Sequence, residues 1–302
     1  MKKATPSVGV AYIYYGAFTN KDSYGILIET GILLRLFGGD MQYKESLKIL
    51  SVGNSFAVDT TKHLADVTRS VGVDDLLIGT LYIGGCSINR HFRNAQENAP
   101  AYKYYTNRGE GWTHVEGVSI KDAVESDDWD FISIQHGTGD GSRYTQENSY
   151  ENLPALVSYI RSIAPEKARI VFNMAWVMEP DGTHPEIRSY GGDQFRMYQS
   201  LVGLTERVVL PIKGIDLVSP TGTAVQNARA TALAGKLCRD GFHLSRTLGR
   251  FLAAVTFLHA LTGISIDQVR FLPEDVTEEE KQIAIECAKR AVKDPFRVTV
   301  EN

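Results

Sequence analysis

Three residues whose types could together activate a serine as a nucleophile stand at turn positions of this 302-residue chain: Ser55, Asp240 and His243. A serine hydroxyl is a weak nucleophile until a base takes its proton. An imidazole suits that task near neutral pH, and a carboxylate on its other ring nitrogen orients it. Ser55 ends the run Leu50-Ser51-Val52-Gly53-Asn54-Ser55, where an apolar strand meets a Gly-Asn-Ser turn. In Asp240-Gly241-Phe242-His243 the carboxylate and imidazole are three apart, and Gly241 lets the loop fold so that they can meet. Each piece alone has a plainer explanation. Serine after a strand commonly caps a turn or helix, and Asp-x-x-His commonly forms a solvated turn before a helix. Two further loops carry hydrogen-bonding groups: Gly84-Gly85, whose backbone N–H groups can face outward, and Gln135-His136-Gly137.

The elements that must position these residues alternate. The pattern predicts a strand through Leu50 and Val52, then a helix with Leu64, Val67 and Val71 on one face, ended by Gly72. A second strand runs from Asp75 to Ile83. The polar and aromatic stretch His91 to Trp112 is an irregular excursion or a small hairpin. A helix over Ile120 to Ser126 leads to a third strand, Trp129 to Gln135. The helix Leu153 to Ala164 precedes strand Ala168 to Ala175, and the helix Gln194 to Val208 precedes strand Ile215 to Val218. A helix over Ala224 to Ala234 follows. Leu248, Phe251, Leu252, Val255 and Leu258 mark an apolar helix, and Thr277 with Glu280 makes a capping box for a C-terminal one. Five alternations imply a parallel sheet covered on both faces, an α/β fold. The expected organisation is a single domain over 45–302 with an uncertain N-terminal extension over 1–44.

Composition narrows the function classes. A net charge of -4 without a Lys/Arg run argues against nucleic acid and anionic membrane surfaces as partners. Cys86, Cys238 and Cys287 are far apart and odd in number, which argues against a disulfide framework or a structural zinc site. No metalloprotease, P-loop or dinucleotide motif is present, so neither metal nor cofactor is expected. The elbow motif G-x-S-x-G is also absent. Lys2 and Lys3 precede a moderately apolar stretch interrupted by Tyr12, Tyr14 and Tyr15, which fits a signal peptide poorly; Met41 is an alternative start. The expectation is a cytoplasmic protein, with export left open and oligomeric state unread.

Taken in chain order, Gly53-Asn54-Ser55, Gly84-Gly85, Gln135-His136-Gly137 and Asp240-x-x-His243 resemble the blocks of the SGNH, or GDSL-like, hydrolases. With Pro220-Thr221-Gly222-Thr223-Ala224-Val225-Gln226-Asn227-Ala228-Arg229 and Arg239-Asp240-Gly241-Phe242-His243-Leu244-Ser245, the chain looks most similar to a bacterial branch carried as a domain of unknown function. The resemblance covers roughly 47–263. It implies a three-layer, flavodoxin-like α/β/α sandwich with a five-stranded parallel sheet. It also implies Ser55 as nucleophile, His243 as general base and Asp240 as its orienting carboxylate, with the Ser55 and Gly85 amides, or that of Gly84, as oxyanion donors. The expected activity is hydrolysis of a small ester, foremost an O-acetyl group on a carbohydrate. The alternatives are a lipase, thioesterase or acyltransferase on the same triad, or a non-catalytic carbohydrate-binding relative. Two positions depart from the family pattern. Asn54 stands where many relatives carry Asp, and Gly139 stands where the third block carries its oxyanion Asn. Gln135 is the expected substitute donor, and losing one such donor costs about 3–4 kcal/mol. Asn54, Asn227 and Arg229 are candidates for substrate binding. His136 and His184 fall in loops that could rim the pocket, and His259 reads as a packed histidine.

Overall fold

The computed structural model describes residues 45–137, 146–182 and 184–300, and the backbone of two short strands before them. Those strands, β1 (Gly25–Leu27) and β2 (Leu33–Arg35), pair antiparallel. The remainder of the expected extension over 1–44, and the third-block residues Gly139 and Asp140, lie outside the described residues.

The chain then alternates through β3 (Ser46–Gly53), α1 (Ser55–Thr61), α2 (Leu64–Ser70), β4 (Asp75–Tyr82) and α3 (Ile88–Gln96). A hairpin follows, β5 (Tyr102–Asn107) and β6 (Trp112–Val118), leading to α4 (Ile120–Glu125) and β7 (Phe131–Gln135). After α5 (Leu153–Ile163) come β8 (Arg169–Asn173), α6 (Gln194–Leu204), β9 (Leu217–Ser219), α7 (Thr221–Arg229), α8 (Leu248–Thr262) and α9 (Glu278–Lys293).

Seven strands form one sheet in the order β6-β5-β4-β3-β7-β8-β9. The five from β4 to the far edge are the expected parallel set, β4, β3, β7, β8 and β9. The correction to the five-stranded expectation is the antiparallel pair β5 and β6 on one edge. All five residues of β7 are buried, so both faces of the sheet are covered, as in doubly covered parallel sheets. Helices α3, α4 and α5 pack on one another, while α1, α2, α7 and α9 each pack on α8. The apolar face read from Leu248 to Leu258 is wholly buried, and the Thr277 capping box is formed.

Helix boundaries moved where local chemistry was stronger than periodicity. One helix was expected after β3; instead α1 starts at Ser55 and the chain bends at Lys62 and His63 before α2. The expected helix over Ala224 to Ala234 starts earlier, at Thr221, and ends at Arg229. Helix α6 stops at Leu204 and continues as a wider five-residue π-turn.

The order of strands determines where a ligand can collect. From β3 the chain first moves to β4 and then crosses back to β7 on the other side of β3. At such a switch point the loops leave the carboxyl ends in opposite directions and open a crevice. Ser55 follows β3 almost directly, at that switch point.

Candidate active site

Ser55 is the first residue of α1, so its backbone N–H has no acceptor within the helix. Asn54 caps that helix, its Oδ1 accepting from Phe56 N at 2.9 Å. The same side chain joins three loops. Asn54 Nδ2 donates to the carbonyls of Cys86 and His136, both at 3.1 Å, and Oδ1 also accepts from Gln135 Nε2 at 2.8 Å. Gly137 fits this knot because a Cβ there would lie 1.9 Å from Cys86 O. The Gly84-Gly85 turn immediately precedes Cys86. Gly85 has φ +63°, and its N–H makes no backbone hydrogen bond among the described residues.

His243 Nε2 lies 2.9 Å from Ser55 Oγ, and its Nδ1 lies 2.7 Å from Asp240 Oδ2. Asp240 Oδ1 accepts from the backbone N–H of His243 at 2.7 Å and of Phe242 at 3.2 Å. Burial pushes the Asp240 carboxyl up, but the His243 ring and these two N–H groups outweigh it and hold the carboxyl below its usual range. With Nδ1–H donated to a carboxylate, Nε2 is the nitrogen left to accept the Ser55 proton. The Ser55, His243 and Asp240 side chains therefore form a continuous hydrogen-bonded relay.

The loop 240–243 is held by the segment that follows β8. Gly241, at φ +82°, approaches so closely that a Cβ would fall 2.3 Å from Gly182 Cα, and Glu179 N donates to Gly241 O at 2.7 Å. Trp176 Nε1 donates to Phe242 O at 2.5 Å. Phe56 packs on Trp176 with ring centroids 4.7 Å apart and meets the His243 ring edge-on at 6.2 Å. The His184 ring packs on Phe242 at 5.1 Å, and burial, then the neighbouring His243, lowers its pKa. His184 thus does border the site, as its loop position suggested.

The other expected residues separate into two groups. Arg229 lines a cleft of about 570 Å³ beside Asp240, together with Glu179, Gln194, Cys238 and Gly241. Its Nη1 donates to Gln226 Oε1 at 3.3 Å, and Nη2 lies 3.9 Å from Glu179 Oε1. Cys238 beside it has its thiol pushed up by burial to about 12. Four residues are displaced from their expected roles. Gln135 is 2% exposed, and its amide braces Asn54 rather than facing the pocket. Asn54 is equally buried and commits its whole amide to backbone and Gln135, leaving none for a substrate. Asn227 is buried against α9 and the C-terminal segment, with Nδ2 on Cys287 O and Oδ1 on Thr299 N. His136 does not rim a pocket; it is fully buried, and burial lowers its pKa to about 3. His259 is half-buried with Nδ1 on Ile264 O, a packed role.

Two residues escaped the sequence reading, Trp176 and Asp59. Trp176 had no motif to announce it. Asp59 did leave a signal, because it is four residues beyond Ser55 on the same helix, a charge among Phe56, Ala57 and Thr60. Among the described residues no group of His, Cys, Asp and Glu could hold a metal ion, and no helix is long and apolar enough to cross a membrane.

Comparison with known proteins supports the fold. A crystal structure of a DUF4886 family protein from Bacteroides uniformis is 32% identical, with a TM-score of 0.79 over 84% of this chain and 98% of that one. Two more distant likenesses are Axe2, an acetylxylan esterase from Geobacillus stearothermophilus, and LAE5, an alpha/beta hydrolase from the metagenome of Lake Arreo in Spain. Axe2 is 15% identical over 78% of this chain and 98% of that one, with a TM-score of 0.44. LAE5 is 16% identical over 71% and 94%, with a TM-score of 0.46. No curated protein matches the chain. The model of the family DUF4886, a domain of unknown function, matches residues 48–291, and the chain belongs to that family.

Proposed function

We propose that this protein is a metal-free serine hydrolase that cleaves a small carboxylic ester through an acyl-enzyme, foremost an O-acetyl group on a carbohydrate. The observation that carries the proposal is the relay from Ser55 Oγ to His243 Nε2 at 2.9 Å and from His243 Nδ1 to Asp240 at 2.7 Å. It stands at the switch point of a parallel sheet, where ligands collect. His243 takes the Ser55 proton as Oγ attacks the ester carbonyl, and the new oxyanion sits against the amides of Ser55 and Gly85. The intermediate collapses, the C–O bond to the alcohol breaks, and His243 gives its proton to the leaving alkoxide. A water then attacks the acyl-enzyme, with His243 as base, and releases the acid and free Ser55. The cleft on the Asp240 side of the relay, lined by Glu179, Gln194, Arg229 and Arg239 but not by Ser55 or His243, offers hydrogen-bonding groups to a hydroxylated alcohol.

A second reading, a carbohydrate-binding relative without turnover, is favoured by one observation: Gln135 braces Asn54, so it supplies no third oxyanion donor. Hydrolysis of p-nitrophenyl acetate and butyrate by the wild type and by Ser55→Ala decides between them. Turnover that disappears in Ser55→Ala and prefers acetate is the expected result. Equal rates for the two proteins would leave only the binding reading.

A further inference from the structure

Beyond the relay itself, the site needs something that sets the distance between its two halves, since Ser55 rides on α1 and His243 on a loop 188 residues later. The loop fixes its own shape: Arg239 N donates to His243 O at 2.9 Å, Ser245 N donates to Leu237 O at 2.7 Å, and Cys238 and Leu244 form a bridge. None of these bonds reaches α1. Asp59 does. It is fully buried, one turn beyond Ser55, and receives Leu244 N at 3.0 Å on Oδ2. Arg239 Nη1 lies 3.2 Å from both of its oxygens and also donates to Leu244 O. From α8, Arg250 adds Nε at 2.8 Å and Nη2 at 2.7 Å. A carboxylate offers about four lone-pair sites, so Asp59 is saturated.

We infer that Asp59 is a positioning residue that fastens the Asp240–His243 loop to the nucleophile's helix and so fixes the Ser55–His243 separation. Arg239 and Leu244 flank Asp240 and His243 in sequence, so the clamp grips the loop at both ends. Ser55 and Asp59 share one helix face, so a shift of the loop along α1 breaks the Asp59 bonds and the Ser55–His243 bond together. Arg250 plays a different part. Its side chain balances the buried charge from α8 and makes no hydrogen bond to the loop, which Arg250 meets only through its backbone N–H on Ser245 O at 3.1 Å.

The test compares Asp59→Asn, Arg239→Met and Arg250→Met in the full chain. Crystal structures of all three are read for the Ser55 Oγ to His243 Nε2 distance, which needs no substrate. Turnover of p-nitrophenyl acetate is read alongside, and this second readout alone rests on the hydrolase reading. The expected result is loss of the Ser55–His243 contact in Asp59→Asn and Arg239→Met with the Asp240–His243 contact kept. kcat should then fall about 10- to 100-fold at nearly unchanged KM, the scale of a misplacement near 1 Å. Arg250→Met should keep the contact and lose less than threefold, roughly, because the loop clamp remains. Arg239→Met leaves the buried carboxylate in place and reports even if Asp59→Asn does not fold. A Ser55–His243 contact intact in Arg239→Met, or equal damage in Arg239→Met and Arg250→Met, would overturn the assignment. A wild type no faster than Ser55→Ala would instead sink the hydrolase reading and leave the geometric result to stand by itself.

Discussion

Asn54→Ala tests whether the three loops around Ser55 are joined by one side chain. Asn54 is 2% exposed and makes four hydrogen bonds, to Phe56 N, Gln135 Nε2, Cys86 O and His136 O. Losing the helix cap costs about 1 kcal/mol. Each of the other three partners is itself buried or turned inward, and a buried polar group left unpaired costs about 1–3 kcal/mol. Taking the low end for all three gives a total near 4 kcal/mol, the low end being apt because a water can enter the vacated space. At about 2 °C per kcal/mol for a domain of this size, the melting temperature should fall by roughly 8 °C. Urea unfolding with matched m-values gives the free energy directly. Asn54→Asp is the companion. It keeps the acceptor for Phe56 and Gln135 but turns two donated bonds into contacts between a carboxylate and two carbonyls, so its buried acid should resist ionisation. Its folded pKa is therefore raised, and its stability should be greatest at acid pH and fall as pH rises through that value. A loss below about 1 kcal/mol in Asn54→Ala would refute the reasoning, since it would leave the cap alone as the contribution.

Two other perturbations read the relay and its loop. Asp240→Asn presents an NH₂ group to His243 Nδ1, which forces the proton onto Nε2 facing Ser55; kcat should fall by on the order of 10⁴-fold, measured on p-nitrophenyl acetate. Because the native Asp240 carboxyl is held below its usual range, its contribution to stability is present above the unfolded pKa and fades as pH falls through the folded one. The stability gap between wild type and Asp240→Asn, followed by thermal melts at stepped pH, should therefore shrink toward acid. Gly241→Ala places a Cβ against Gly182 at φ +82°, where the backbone strain alone is about 1–2 kcal/mol, and both melting temperature and kcat should drop; an unchanged melting point would contradict the close approach.

Much of this was readable from the chain because buried parallel strands and reactive turns leave local signals. β3, β4, β7, β8 and β9 each carry an apolar run next to a helix pattern, and Ser55, Asp240 and His243 each sit at a turn with the right chemistry. The hairpin was left open because β6 is almost wholly exposed, so Thr113, His114 and Glu116 show no apolar alternation to find. Helix α3 is similarly polar, its face defined by His91, Asn94 and Ala95. Asn227 misled for the opposite reason. Helix α7 is buried on every side from Thr221 to Ala228, so a polar residue in it has no solvent face, and sequence does not say which neighbour takes its amide. The direction of the Gln135 amide is not legible in the sequence, because a strand end fixes where a residue stands but not which way a long side chain turns. Asp59 and Asn54 owe their roles to partners 185 and 82 residues away, separations at which no local pattern exists.

The 188 residues between Ser55 and His243 also make the site a late event in the life of the chain. Closing a loop of that length costs about 5 kcal/mol of chain entropy by itself, which a short relay of hydrogen bonds cannot meet without the sheet between them. During synthesis Ser55, its helix and the glycine turn emerge long before Asp240 and His243. A nascent or truncated chain that ends before residue 240 therefore carries Ser55 without the imidazole and carboxylate of the proposed relay. On the proposed hydrolase reading, covalent capture of Ser55 by an organophosphate would mark only chains that have completed the fold, a test of biosynthetic maturity as well as of the relay.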